Sequence, residues 1–321
     1  MSILSWNCHG LGTPWTFQFL KEIVLQKRLD FIFLSEILCK QVTVEKFQQA
    51  VNFEGKMVVE TQGHSGGIAL LWRFQNEVTL RTFNKNHIDV FVKNKAGDEF
   101  RLTGVYGEPD RQKRKETWDM IRMLSSINTG PWCLIGDMNN VLSQADKQGG
   151  RPYPQWLIQG FRDVIEDCSL INLDLDGYPF TWERGAGTVD WIEVRLDRDL
   201  VSTSFLNIFP NVKLINIEVS TSDHCPILLE IHKASIVIQK RVFRFENAWL
   251  REPMCQKIVE DVWSSGASVS FYAKIKECSE ILSSWGREIT GSFKNRINQC
   301  KKTIKLLKGR RDSNSIAVLK C

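Results

Sequence analysis

The chain has 321 residues, 43% hydrophobic and 25% charged, a balance that excludes wholesale disorder and allows a sizeable core. No run approaches the roughly 20 apolar residues of a membrane helix, and the apolar run 1–6 is too short for a signal-peptide core, so an intracellular protein, nuclear or cytoplasmic and without a membrane partner, is expected. Nine scattered cysteines, none at Cys-X-X-Cys spacing, speak against a disulfide framework or a structural zinc site.

The net charge of +5 is unevenly spread. Residues 1–239 hold 25 Lys+Arg against 29 Asp+Glu, a balance of −4, whereas residues 240–321 hold 17 against 8, or +9. This suits a carboxylate-rich body followed by a segment able to lie on an anionic polymer, or alternatively by a solvated helix surface.

In chain order, residues 3–7 read as a first strand ending at Asn7, before the turn-like Gly10-Leu11-Gly12. Neighbours on a strand point to opposite faces, which speaks against Cys8 and His9 forming a nucleophile pair. Thr13-Pro14 starts a helix with a hydroxyl cap and a proline at its first position, and Phe17, Leu20 and Val24 give it an apolar face. Residues 30–34 form a compact buried strand with Glu36 just beyond it, so Asn7 and Glu36 hold equivalent places at two strand ends. Short, closely spaced strands between 57 and 106 predict an antiparallel meander. Gly66-Gly67 allow close strand approach there but lack the Lys-Ser/Thr of a phosphate loop. Tyr106 ends a strand and reads as a half-buried core residue.

A helix over 113–124 leads into the apolar run 132–135, where Gly136 makes a sharp exit and releases Asp137 and Asn139. Two apart on an extended segment, these two side chains point the same way. A helix over 155–165 has Trp156, Ile158 and Phe161 available to pack. Residues 180–182 and 192–200 suggest two further strands. Arg195-Leu196-Asp197-Arg198 reads as a surface ion-pair network, and Asp223-His224 precede a strand over 227–231. Beyond residue 232, Trp285, Ile289, Phe293, Ile297, Cys300, Ile304 and Leu307 form a helical apolar stripe opposite Arg287, Lys294, Arg296, Lys301, Lys302 and Lys305. Gly286 and Gly291 leave the start of that helix open.

Asn7, Glu36, Tyr106, Asp137, Asn139, Asp197, Asp223 and His224 all come from strand ends and are rich in hard oxygen ligands. Such a set suits Mg2+, with Mn2+ as the alternative, and fits metal-assisted phosphodiester cleavage without a small-molecule cofactor.

The order Trp-Asn, Ser-Glu, Val-Tyr-Gly, Gly-Asp-Met-Asn, Arg-Leu-Asp-Arg, Ser-Asp-His, spread over residues 1 to about 232, resembles the endonuclease/exonuclease/phosphatase superfamily, which includes abasic-site endonucleases and DNase I. More narrowly, Leu-Ser-Trp-Asn-Cys-His-Gly, Phe-Leu-Ser-Glu, Ser-Gly-Gly-Ile-Ala-Leu-Leu-Trp, Thr-Gly-Val-Tyr-Gly-Glu-Pro and Ser-Asp-His-Cys-Pro-Ile look like the amino-terminal endonuclease of plant LINE-type (non-LTR) retrotransposon polyproteins. The tail from Phe243 to Glu288 resembles the connector towards the reverse transcriptase.

The resemblance implies an α/β, DNase I-like fold: a four-layer sandwich of two mixed β-sheets flanked by helices over residues 1–232. A basic, mostly helical appendage over 233–321 would follow. Glu36 is implied to hold Mg2+, with Asp223 as a second acidic contributor and Asn7 near the metal. Asp137 is implied to orient or deprotonate the attacking water, with Asn139 fixing that Asp and the phosphate. His224 would face the scissile phosphate, oriented by Asp197, and Tyr106 would donate to a phosphate oxygen. Trp182, Arg195, Lys294, Arg296, Lys301, Lys302 and Lys305 are the expected nucleic-acid contacts.

The sequence departs from the family pattern at Met138 and Asn140, which replace Phe and an acidic residue, and at Val194, a change able to alter strand register near Asp197; neither departure touches a proposed catalytic group. The implied function is a Mg2+-dependent endonuclease that nicks DNA. The alternatives are an abasic-site repair nuclease of the same fold, or an inactive element relic binding nucleic acid through its basic tail. The superfamily's inositol-phosphate and sphingomyelin phosphatases fit these motifs poorly. The C-terminal helix is expected to meet a protein or reverse-transcriptase partner, and since no reverse transcriptase follows, target-primed copying by this polypeptide alone is not expected.

Overall fold

A computed structural model describes residues 1–60, 66–74, 77–94, 97–127, 130–217, 219, 222–232, 245, 247–264, 270–286 and 299–300. The chain divides into two compact units, Met1–Ala234 and Ser235–Cys321. The first unit begins with β1 (Ser2–Asn7), α1 (Pro14–Lys27), β2 (Phe31–Ser35), α2 (Gln41–Ala50), β3 (Gly55–Val59) and β4 (Ile68–Trp72). It continues with β5 (Val78–Asn84), β6 (His87–Lys93), β7 (Glu99–Tyr106), α3 (Arg114–Ile127), β8 (Trp132–Asp137), β9 (Lys147–Gln148) and α4 (Gln155–Asp167). Last come β10 (Leu170–Asn172), β11 (Leu175–Asp176), β12 (Trp182–Arg184), β13 (Ile192–Val194), β14 (Asp197–Ser202), α5 (Thr203–Ile208), β15 (Asn211–Asn216) and β16 (Ile227–His232).

These strands form a seven-stranded sheet in the order β11-β15-β16-β1-β2-β4-β3, a six-stranded sheet in the order β10-β14-β8-β7-β6-β5, and a small sheet of β12-β13-β9. Both large sheets are mixed, with β1 parallel to β2 and β7 parallel to β8. The alternation in β2 shows how the layers arise. Phe31 and Phe33 point between the sheets, where they meet Ile88, Leu102 and Ile135, while Ile32 and Leu34 point outward to Leu20, Val24 and Phe47 of α1 and α2. On the far side, Leu134 and Leu200 pack under Trp118, Ile121, Leu157 and Phe161 of α3 and α4. Each large aliphatic or aromatic side chain buried this way contributes about 1.5–3 kcal/mol, which is why strands covered on both faces read as continuous apolar runs. The result is a helix–sheet–sheet–helix sandwich.

Helix α1 starts as its sequence predicts: Thr13 Oγ1 accepts from the Thr16 amide at 3.2 Å, and Pro14 occupies the first turn. The expected meander over 57–106 is instead divided, since β3 and β4 join the seven-stranded sheet and β5 to β7 the six-stranded one. Apolar alternation reports that a strand is covered, not by which sheet. Trp156 is another departure: it lies exposed, edge-on to Trp118, while Ile158 and Phe161 are buried. Arg195-Leu196-Asp197-Arg198 is no surface network. Asp197 and Arg198 are buried, and the Arg198 guanidinium is paired with Asp146 at 2.5 Å. Val194 does not disturb the register, because Asp197 lies directly opposite Asp137.

In the second unit a short helical turn (Asn247–Arg251), α6 (Pro253–Ser264) and helical residues 271–286 surround a small cluster of Trp249, Cys255, Ile258 and Leu282. Of the predicted apolar stripe, Trp285 and Cys300 are described. Ile289, Phe293, Ile297, Ile304 and Leu307, and the basic residues Arg287, Lys294, Arg296, Lys301, Lys302 and Lys305, lie outside the described residues. No helix among the described residues is long and apolar enough to cross a membrane.

Candidate active site

Two rows of strand-end residues, one from each large sheet, face each other at one rim of the sandwich. In the six-stranded sheet, parallel pairing sets Tyr106 opposite Asp137, and antiparallel pairing sets Asp197 opposite the same residue. Gly136 makes that closeness possible. Its φ of +152°, together with a carbonyl of Val105 that would stand 1.9 Å from an added Cβ, admits only glycine. In the seven-stranded sheet Asn7 lies opposite Ser35, and Glu36 follows in the left-handed region, with φ of 49°.

Hydrogen bonds join the rows. Asn7 Nδ2 donates to Glu36 Oε1 at 2.9 Å and lies 3.1 Å from Asp137 Oδ2. The Tyr106 hydroxyl donates a hydrogen bond to Glu36 Oε1 at 2.8 Å. Burial, then the Glu36 charge, push the phenol's pKa upward, so it remains a donor. The extended segment that the sequence predicts from Asp137 does not continue to Asn139. Asn139 turns left-handed instead, with φ of 51°, so that its amide reaches Asp137 Oδ1 at 2.9 Å and its Nδ2 reaches the Gly107 carbonyl at 2.8 Å. Asparagine tolerates that conformation better than most residues.

His224 closes the constellation. Its Nδ1 lies 2.9 Å from Asp197 Oδ2 and its Nε2 lies 3.7 Å from Asp137 Oδ2. The Trp6 indole N–H holds the His224 carbonyl at 2.9 Å, and Ser222 Oγ accepts from the His224 amide while donating to the Asn7 carbonyl. Burial alone would lower the imidazole's pKa. The Asp197 and Asp137 carboxylates override it and hold the value up at about 10, so His224 is charged at neutral pH. For Asp137, burial is the leading cause of a rise to about 6, opposed by His224 and by the Asn7 and Asn139 hydrogen bonds.

Glu36, Asn7, Tyr106, Asp137, Asn139, Asp197 and His224 are thus brought together. Asp223 stands beside them in sequence, but its carboxylate is exposed and accepts the Trp182 indole N–H at 2.8 Å. Trp182 itself is half-buried, its ring 6.5 Å from that of His224. Arg195 turns inward to the Leu173 carbonyl at 2.8 Å. Met138 is buried in the apolar layer under α3 and α4, and the Asn140 carboxamide binds the Met138 carbonyl at 2.7 Å. The Cys8 thiol, pushed up to about 12 by burial, is no nucleophile. His9, by contrast, sits on the site with Nδ1 3.0 Å from Glu36 Oε2. Sequence alternation placed it on the opposite face from Cys8 and gave no sign of that contact.

The sequence profile described as the Endonuclease/Exonuclease/phosphatase family matches residues 4–224. No curated protein matches the chain. Among solved structures, the endonuclease domain of TRAS1, a telomere-specific non-LTR retrotransposon, is similar with a TM-score of 0.55 and 16% identity, covering 73% of this chain and 99% of that one. The 3'-5' exonuclease NExo from Neisseria meningitidis has a TM-score of 0.56 at 17% identity, covering 72% and 99%. The AP endonuclease LMAP from Leishmania major has a TM-score of 0.55 at 14% identity, covering 72% and 88%. At these identities the likeness shows a shared fold.

Proposed function

The chain belongs to the Endonuclease/Exonuclease/phosphatase family, and on that premise we propose that it is a divalent-metal-dependent endonuclease nicking DNA, as LINE-type retrotransposon endonucleases do. The observation that carries this reading is the continuous arrangement from Glu36 through Asn7 to Asp137, with Asp197 and His224 closing it where the strand ends of the two sheets meet.

Two places offer carboxylates to a cation. Asp137, Asp197 and His224 present ligand atoms within 4.8 Å of one another. In that cluster, however, Nδ1 is engaged by Asp197, Asp137 already receives amide donors, and a charged imidazole repels a second cation. Glu36 fits better. Its Oε1 is oriented by two neutral donors, while Oε2, among the described residues, meets the exposed His9. A cation held there would supply positive charge against the non-bridging oxygens of the scissile phosphate.

The remaining steps belong to the side chains. Asp137, with a pKa near 6, is ionised at neutral pH and basic enough to take the proton of an attacking water. Asn139 keeps that carboxylate aimed. His224, held charged and oriented by Asp197, donates to the phosphate oxygens as negative charge builds on them. Trp182 beside His224 offers a ring for the nucleic acid to lie against, and the basic segment 240–321 would add salt-dependent affinity for its backbone.

The test is relaxation of supercoiled plasmid. Nicking that requires a divalent cation and disappears in Glu36→Ala and Asp137→Ala supports the assignment, and equal nicking by those variants overturns it. Comparing an abasic duplex with an intact one separates a repair specificity from general nicking.

A further inference from the structure

The residues following β1 and β2 run side by side. Backbone bonds from Cys8 to Ser35, Gly10 to Glu36 and Leu11 to Ile37, at 3.1, 2.8 and 2.9 Å, clip the two segments together. His9 and Glu36 stand across this seam, both left-handed, with φ of 43° and 49°. Glu36 Oε1 is taken by Asn7 and Tyr106, so an incoming cation meets the carboxylate at Oε2. That oxygen lies 3.0 Å from His9 Nδ1, and the His9 side chain is 63% exposed against 22% for Glu36.

Two neighbouring ligands of an octahedral cation, each about 2.1 Å from it and at right angles, stand about 3.0 Å apart. The Oε2 to Nδ1 separation already has that value. Nδ1 is the ring nitrogen that faces Oε2, so it is the atom His9 would offer to a cation bound there.

We propose that His9 is a ligand of the cation held by Glu36, and that this imidazole nitrogen makes the site prefer Mn2+ to Mg2+ more strongly than an all-oxygen site would. The inference rests on the proposed function, which places the cation at Glu36. Mg2+ is the harder ion and keeps to oxygen and water, whereas the later divalent ions gain from an imidazole donor. The backbone clip holds the two ligand-bearing segments in register, so the pair is preorganised for chelation.

The experiment uses the whole chain with Mn2+ or Mg2+ alone. Electron spin-echo spectra of bound Mn2+ are expected to show 14N coupling from a directly bound imidazole, which disappears in His9→Asn. Asparagine is chosen because it accepts the left-handed backbone. The Mn2+ dissociation constant is expected to rise about 10-fold or more in that variant, and that for Mg2+ by less than about 3-fold. Absence of 14N coupling in the wild-type complex, or an equal loss for both ions, overturns the assignment. Glu36→Gln separates the failures. If it abolishes Mn2+ binding while the wild-type spectrum lacks 14N coupling, only the role of His9 falls; if it leaves binding unchanged, the cation site of the proposed function falls with it.

Discussion

Asn7 and Asp137 stand on different sheets and 130 residues apart, yet the Asn7 carboxamide nitrogen lies 3.1 Å from Asp137 Oδ2 and 2.9 Å from Glu36 Oε1. One small side chain therefore sets the distance between the proposed general base and the proposed cation ligand. It also favours the ionised form of Asp137, opposing the burial that raises its pKa to about 6.

Replacing Asn7 by Ala is expected to move the acidic limb of the pH–rate profile to higher pH, because a lost donor leaves burial less opposed. The rate near neutrality should fall about 10- to 100-fold and partly recover in more alkaline buffer. Plasmid nicking between pH 5.5 and 9 measures this, and an unmoved limb would show that Asn7 does not tune the base.

Asp197→Asn should act on the opposite limb. With Asp197 in place the His224 pKa stands at about 10, above its ordinary 6.5. Its contribution to stability is thus fully present below pH 6.5 and lost as pH rises through 10. Without that carboxylate the imidazole loses its proton closer to neutrality, so the alkaline limb should move down by at least about one pH unit. Thermal unfolding of the same variant should lose part of the wild-type stability at pH 7.

The Tyr106 phenol donates to Glu36, so Tyr106→Phe should act through the cation. The concentration of cation giving half-maximal nicking is expected to rise about 10- to 100-fold, with the rate restored at saturation. A rate that stays depressed at saturating cation would return the phenol to the phosphate contact implied by family resemblance.

Asp199 is buried between the two sheets. Its Oδ1 accepts the Cys133 thiol at 3.4 Å, and its Oδ2 has no hydrogen-bond partner among the described residues. Burial pushes its pKa up from 3.8 to about 7. A raised folded-state value means that its favourable contribution is complete below 3.8 and lost as pH rises through 7. Asp199→Val is therefore expected to stabilise the protein by about 2–4 kcal/mol at pH 8 and by clearly less at pH 5. Urea unfolding at the two pH values measures the difference, and an equal effect at both would refute an ionisation cost.

The residues with chemistry were legible because their positions obey local rules. Asn7, Glu36, Tyr106 and Asp137 each close an apolar run, and the punctuation by Gly10, Gly136 and Gly107 is readable along the chain. The cap at Thr13 is equally local. Misreadings occurred where a neighbour in space, not in sequence, decides the outcome. From its local run alone Asp197 reads as one member of a surface charge network; family resemblance pairs it with His224, and in the fold it is buried against that residue, 27 positions away. The Trp182 indole, 41 residues away, donates to one oxygen of the Asp223 carboxylate, a contact no local pattern announces. Strand alternation speaks against a Cys8–His9 pair but is silent on the contact His9 does make, because a left-handed backbone brings its imidazole to Glu36.

By itself, the sequence determined the long apolar strands, the glycine-marked exits and the supply of oxygen-bearing side chains at those exits, but not the short or half-exposed strands such as β10, β11 and β15. Tertiary structure alone decided which strands share a sheet, which strand-end groups touch, and which carboxylates burial holds partly protonated. Periodicity is a property of residues a few positions apart, so one chain segment displays it. Hydrogen bonding and desolvation at the rim depend on segments 29, 130 and 218 residues apart, and only packing brings those together.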